Sequence, residues 1–253
     1  MRWARDDDPR ELPDDDDPPS GAARVARWAG LAIAAVVCVI LAIGLWDLGW
    51  IIAWRWYDPG ETAFMRAERE RLEAAHSRVR ITQDWEPYAR ISITLKRAVI
   101  ASEDARFLEH DGVDWEAVEK AYENNQKSGA RRLHGGSTIS QQVAKNLFLS
   151  GSRTYLRKGE ELAITYMIEM VWSKRRILEV YLNIAEWGEG LFGAEAAARY
   201  YYGVPAAQLA PEQAARLAAF LPSPVRYGKI RTGGYLDART DEILRWMNDS
   251  QVP

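Results

Sequence analysis

One cysteine and three histidines in 253 residues leave little material for disulfide or zinc chemistry. Cys38 sits inside an apolar run, so no intrachain disulfide can form, and the cysteine count says nothing about redox compartment. His76, His110 and His134 are scattered without paired spacing, which argues against a protein-built transition-metal centre. Alternating apolar runs are scarce too, so a sandwich or barrel is not expected and a mainly α domain is. The most local deficiency is of acids. The chain has 36 Asp and Glu, yet the 32 positions from Lys127 to Lys158 contain none. Seven bases lie there instead: Lys127, Arg131, Arg132, Lys145, Arg153, Arg157 and Lys158. Glu103-Asp104 precede the strip and Glu160-Glu161 follow it. A solvated basic face is the plain reading of such a run; an anion-binding strip between two carboxylate sites is the functional one.

What is present divides the chain. Hydrophobic residues make up 47% and aromatics 11%, enough for a sizeable core in one globular domain. Residues 1–20 hold eight acids against three arginines and four prolines, so the net charge of -3 conceals a strongly acidic tail. That composition cannot bury enough surface to offset chain entropy, and disorder is expected to about residue 22, with residues 1–27 taken as a cytoplasmic tail. Trp28 to Trp46 runs without a charge, about the length needed to span a hydrocarbon layer, giving an expected transmembrane helix over 28–50. A cleaved signal peptide fits less well, because the apolar stretch is too long and no clean small-residue cleavage site follows. Arg24, Arg27 and the flanking tryptophans suit a cytoplasmic N-terminus, although Arg55, Arg66, Arg69 and Arg71 blur the asymmetry. A juxtamembrane segment, 51–80, then leads to the globular domain, 81–253.

Within that domain Leu95, Ala98, Val99 and Ser102 keep a helical spacing toward Glu103, and 113–125 is a second candidate helix. Thr138 with Gln141 three residues on is a capping box opening a helix through Val143 and Leu147, after a turn at Gly135-Gly136. The longest periodic run, from about Tyr155 to Ala185, places Leu162, Tyr166, Met170, Ile177, Leu178 and Tyr181 in the core. Pro211 opens a last, alanine-rich helix that Pro222 ends.

Arg157, Lys158 and Glu161 fall on one face of such a helix. The pattern suits a carboxylate managing a charged leaving group among cations, or equally a surface ion pair. Glu103 and Asp104, adjacent on a helix, point in different directions. One can face a pocket while the other makes hydrogen bonds near the helix end. Two separated glutamates with cations between them suggest a general base and a group beside a phosphate leaving group.

Five segments in order then resemble the peptidoglycan glycosyltransferases of glycosyltransferase family 51, and among them the monofunctional biosynthetic transglycosylases. They are AVIASEDARFLEHDGVDW (98–115), GGSTISQQVAKNLFLS (135–150), RTYLRKGEE (153–161), SKRRILEVYLN (173–183) and GLFGAEAAARYYYG (190–203). The resemblance covers about 81–225. It implies a lysozyme-like helical domain on the outer face of a bacterial inner membrane, polymerising lipid II into glycan strands. Glu103 would be the base that takes a proton from the acceptor GlcNAc 4-hydroxyl, and Glu161 would aid departure of undecaprenyl diphosphate, directly or through Mg or Mn. Inversion at the anomeric carbon would occur in one displacement. A glutamate titrates at about 4.3 when unperturbed, so Glu103 needs little tuning to act as a base. By the same resemblance Lys145, Arg153, Arg157 and Lys158 lie near the diphosphates, and Ser137, Thr138, Gln141 and Gln142 form a polar lining. Asp104, Phe107, His110, Gly112, Gly136, Asn146, Glu179, Asn183 and Gly193 belong to the motifs as shaping residues, as does Ala197. Lys127, Arg131 and Arg132 receive no role.

Competing signatures fail in context. Gly188, Gly190 and Gly193 spell G-x-G-x-x-G, but after a helix rather than a strand. Arg231-Thr232-Gly233 resembles the K-T-G of transpeptidases, yet S-x-x-K occurs nowhere, so no transpeptidase partner is expected. A lytic enzyme cutting the same glycan would not call for phosphate cations. A structural module of the division machinery would not need both glutamates, although cell-division or elongation proteins remain natural partners. Nucleic-acid binding is disfavoured by the anchor and the acidic balance.

Overall fold

A computed structural model describes residues 21–127, 136–149 and 154–253. The disorder expected for 1–20 lies outside the described residues, as do Arg131, Arg132, Arg153 and the side chain of Lys127. By internal contacts the chain forms two compact units, Met1–Leu45 and Trp46–Pro253.

The first helix, α1 (Gly21–Ala53), starts earlier than the apolar run. Residues 22–27, expected to belong to the tail, are helical, because Ala22, Ala23, Ala26 and the two arginines are good helix formers. Arg24–Ala53 is long and apolar enough to cross a membrane.

Trp46–Pro253 begins with the last turns of α1. There Ile51 is fully buried, the Trp172 indole donates to its carbonyl at 2.7 Å, and Trp54 packs on Phe148. Helix α2 (Ala63–Ala74) follows, capped by Thr62, and leads through β1 (Thr82–Gln83) to α3 (Ile93–Glu103), whose cap is Ser92. Then come α4 (Trp115–Lys127) and α5 (Ile139–Phe148). The capping box at Thr138 is formed in both directions: Gln141 N donates to Thr138 Oγ1 at 3.2 Å and Thr138 N to Gln141 Oε1 at 3.1 Å.

The periodic run from 155 is two helices, α6 (Tyr155–Val171) and α7 (Lys174–Ile184). Trp172 leaves helical geometry and Ser173 caps α7 through the Arg176 amide, so a new helix starts on the same hydrophobic period. The core face of α6 is also rotated from expectation. Ile164, Thr165 and Ile168 are buried, whereas Tyr166 is 39% and Met170 76% exposed. In α7 Ile177, Leu178 and Tyr181 are buried as their spacing required.

Strands β2 (Glu186–Gly188) and β3 (Leu191–Phe192) close a three-stranded sheet of order β1-β3-β2, with Thr82 opposite Leu191 in parallel and Glu186 opposite Phe192 antiparallel. The glycine pattern 188–193 thus forms a strand turn. Helices α8 (Ala194–Tyr202) and α9 (Pro211–Phe220) follow, but α9 is not the last. Pro222 ends it and Pro224 starts α10 (Pro224–Ile230), proline being as suited to a first turn as it is unsuited to an interior. Then α11 (Gly234–Trp246) packs on α9 and α3, while α5 packs on α2, α6 and α7. The unit is mainly α, and the C-terminal end of α3 meets the N-terminal end of α5 at its centre.

Candidate active site

Glu103 and Asp104 diverge at the end of α3. Asp104 is buried and turned inward: its Oδ2 accepts from the Ile139 amide, the first of α5, at 2.9 Å, and Oδ1 meets His110 Nε2 at 2.9 Å. His110 Nδ1 accepts from the Gly112 amide at 3.2 Å, so the proton is on Nε2 and is donated to Asp104. A carboxylate at a helix N-terminus also meets its positive dipole end. Thr138 Oγ1 donates to Gly112 O at 2.5 Å, and Lys174 Nζ donates to His110 O at 2.6 Å while lying over the buried Phe107 ring. Gly112 has φ +96°, and a Cβ there would stand 2.8 Å from Thr165 Cγ2. Gly136 has no room either, its Cβ position being 3.0 Å from Val118 Cα. Segment 104–114 is therefore a braced loop that fixes α3 against α5.

Glu103 points the other way, half-buried, into a cavity of about 1290 Å3. Its Oε2 accepts from Gln142 Nε2 at 2.9 Å, and the Tyr181 hydroxyl donates to Gln142 Oε1 at 3.1 Å. Tyr181 thereby turns the amide nitrogen of Gln142 toward the carboxylate. Burial raises the Tyr181 pKa well above its ordinary value, so the phenol stays a donor. Burial also pushes the Glu103 carboxyl up; the Gln142 hydrogen bond and Arg239 oppose this, and Asp104 adds to it. Desolvation outweighs the donors around it. The result is a carboxylate of increased basicity at the wall of a large polar cleft, which is what proton abstraction from a hydroxyl calls for.

Of the polar lining, Ser137 and Gln142 border this cavity, while Thr138 and Gln141 are buried in the capping box. Thr138 also lines a smaller cavity of about 260 Å3 beside Glu103 and Asp104. A second cluster forms on α6. Glu161 is buried, with Lys158 Nζ 2.5 Å from Oε1 and Arg157 Nη1 3.7 Å from Oε2. Arg157 Nε is buried and has no hydrogen-bond partner among the described residues, an orphan donor that an incoming oxyanion would satisfy. Lys145 is exposed on α5, 5.8 Å from the Phe64 ring centroid, and Asn146 beside it is buried. Neither Glu161 nor these cations line the Glu103 cavity. Both Glu161 oxygens face cations, and no cluster of three or more His, Cys, Asp or Glu able to hold a metal occurs among the described residues.

Of the fourth motif, Tyr181 reaches Gln142, whereas Glu179 and Asn183 bond elsewhere. Glu179 accepts from the Tyr88 amide at 2.7 Å and pairs with Arg176 at 2.8 Å. Fully buried Asn183 accepts from Glu86 N at 2.7 Å and donates to Glu86 O and Glu179 O. Gly193, at φ +84°, lies where a Cβ would be 3.0 Å from Asn183 O, and Ala197 is buried in α8. Sequence reasoning did not find the residues of α10 and α11 that complete the cleft, namely Arg226, Tyr227, Tyr235, Arg239, Glu242, Arg245 and Trp246. Arg239 donates to the Ser102 carbonyl at 3.0 Å and pairs with Glu242 at 2.8 Å. The signal was the three-to-four spacing of 235, 239, 242 and 246, a polar and aromatic stripe on a helix not recognised from sequence.

The transglycosylase family matches residues 70–248. A biosynthetic peptidoglycan transglycosylase of Bordetella avium (strain 197N) is 53% identical over 238 residues, covering 92% of this chain and 99% of that protein. Proteins of the same name from Dechloromonas aromatica (strain RCB) and Janthinobacterium sp. (strain Marseille) are 52% and 53% identical, over 90% and 87% of this chain and 99% and 95% of theirs.

Proposed function

This chain belongs to the transglycosylase family and is a peptidoglycan glycosyltransferase, and on that premise we propose that it elongates glycan strands from lipid II. The growing strand, carried on undecaprenyl diphosphate, is transferred to the 4-hydroxyl of the acceptor GlcNAc. Glu103 takes the hydroxyl proton as the oxygen attacks the anomeric carbon from the face opposite the diphosphate, and the carbon–oxygen bond to the diphosphate breaks in the same step. The configuration inverts, the proton resides on Glu103, and the diphosphate carries away the electron pair.

The observation that carries this reading is the Glu103 carboxylate at the wall of the cleft, held by Gln142 and made more basic by burial. Charge on the departing diphosphate is met by Arg157, whose buried Nε is unsatisfied, with Lys158 and Lys145, and Arg153 extends the set in sequence. Glu161 holds Lys158 and Arg157 in place while no anion is bound. We assign Ser137 to the substrate lining beside Gln142. Helix α1 anchors the enzyme in the inner membrane with the catalytic unit outside, where a lipid-linked donor can reach it.

The test is polymerisation of labelled lipid II by the full chain in detergent. Glu103→Gln should cut the rate by about 10²–10⁴-fold, the usual worth of a general base. Glu161→Gln should reduce it as well, with the larger loss at low lipid II. Wild-type rates from Glu103→Gln would refute the base assignment, and shortening of preformed glycan by the wild type would replace the reading with a lytic one.

A further inference from the structure

The cleft has a wall that the motifs do not account for. Among the α11 side chains, Leu236, Thr240, Ile243 and Met247, just past its end, are buried and hold it to the core. The adjoining face turns Tyr235, Arg239, Glu242, Arg245 and Trp246 into the Glu103 cavity. Trp246 is 61% and Tyr235 49% exposed, and Tyr235 stacks on Tyr227 with centroids 5.5 Å apart and planes 24° off parallel. A lone exposed aromatic needs no explanation. Three aromatic rings on the wall of one polar cavity, opposite a basic carboxylate, do.

The charges point the same way. Arg239 is engaged by Ser102 and Glu242. Arg245, in contrast, has no hydrogen bond or ion pair among the described residues, and Arg226 lies only over the Tyr227 ring. Aromatic faces take up the apolar C–H faces of sugar rings, and free guanidinium forks take up carboxylates. Lipid diphosphate has cations of its own at Glu161, outside this cavity, and a diphosphate offers no sugar-ring face to the aromatic rings.

We propose that Tyr235 and Trp246, flanked by Arg226 and Arg245, form a glycan-binding platform that stacks the amino-sugar rings of a carboxylate-bearing glycan and holds them against Glu103. It rests on the glycosyltransferase reading above and adds to it a specific set of α10 and α11 residues. The same chemistry is offered by the growing strand and by the sugars of a lipid II monomer, and the experiment separates the two.

Full-length wild type, Trp246→Ala, Trp246→Phe, Arg245→Gln and Tyr200→Ala are compared with labelled lipid II, recording product strand length and the dependence of initial rate on lipid II. Melting temperatures establish that each variant is folded; Trp246, being largely exposed, should tolerate truncation. If the strand is held, Trp246→Ala shortens the product by about fivefold to tenfold, an aromatic contact's worth. If the monomer is held, the lipid II concentration for half-maximal rate rises by a similar factor. Trp246→Phe keeps most of either property, Arg245→Gln loses part of it, and Tyr200→Ala, an exposed tyrosine outside this cavity, retains wild-type values. Polymerising wild type with unchanged strand length and lipid II dependence in Trp246→Ala and Arg245→Gln would overturn the platform. A wild type that makes no polymer would instead overturn the glycosyltransferase reading beneath it.

Discussion

Replacing Gln142 by leucine should move the acid side of the pH–activity profile to higher pH while sparing activity in alkali. The Gln142 amide donates to Glu103 at 2.9 Å, and the carboxylate is otherwise stabilised by the charge of Arg239 and by the Ser102 side chain. A hydrogen bond to a charged group is worth roughly 1.5–3 kcal/mol, and about 1.4 kcal/mol corresponds to one pH unit. Its loss removes a contact that favours the ionised form, so the Glu103 pKa, already raised by burial, should rise further. The sign is fixed by the mechanism. A base works only when ionised, so activity below the new pKa falls about tenfold per unit, whereas well above it the leucine enzyme should approach wild type. The assay is initial polymerisation rate at limiting lipid II from about pH 5 to 9. Tyr181→Phe provides the companion: without the hydroxyl that orients Gln142 at 3.1 Å, the acid limb should move the same way by a smaller amount. A rate loss equal at every pH would refute the reasoning, because it would make Gln142 a substrate contact and not a modulator of Glu103. An unchanged profile would do the same.

Three further outcomes concern the fold. Glu186 is driven by burial to about 7, from an ordinary value near 4.5, so the folded state binds its proton more tightly than the unfolded chain does. Stability should therefore fall as pH rises from about 4.5 to 7, with the full penalty above that. The shift sets an upper limit of about 3 kcal/mol, reduced to about 1–2 by partial solvent access. Glu186→Gln should raise the melting temperature by about 3–6 °C at pH 8 and leave it unchanged at pH 4. Asp104→Ala removes the acceptor of the Ile139 amide and of His110 and should cost about 3 kcal/mol, read from denaturant midpoints. Gly193→Ala should cost about 1–3 kcal/mol by thermal melts, since φ is +84° and Asn183 O would be 3.0 Å from the new Cβ.

Much of the catalytic unit was legible because its signals are local. The capping box at Thr138, the spacing of α3 and the start of α9 at Pro211 depend on residues within one or two turns of each other. The divergence of Glu103 and Asp104 also follows from helix geometry alone. Where reading failed, the deciding partner was distant in sequence. The burial of Ile164 and Ile168 in place of Tyr166 and Met170 is set by α5 packing on α6, which no period within α6 can reveal. The break at Trp172 depends on its indole reaching Ile51, 121 residues earlier. Likewise the role of Tyr181 was hidden: its spacing marks it correctly as core, but its hydroxyl acts on Gln142, 39 residues away.

The acid-free strip teaches the same lesson about function. Its length suggested a continuous cation surface between two glutamates, but a strip in sequence need not be a strip in space. Arg157 and Lys158 gather round Glu161, while Glu103 draws its nearest positive charge from Arg239 of α11, 136 residues further along the chain. The separation is chemically sensible. A cation close to the base lowers its pKa and weakens it as a proton acceptor, whereas a leaving diphosphate gains from every cation within reach. Setting Arg157 and Lys158 against Glu161, and opposing the charge of Arg239 by burial of Glu103, lets one domain satisfy both demands. If that is why the charges divide, a lysine introduced in place of Ser137, beside Glu103, should lower the base pKa, extend activity to more acidic pH and reduce the rate at its plateau.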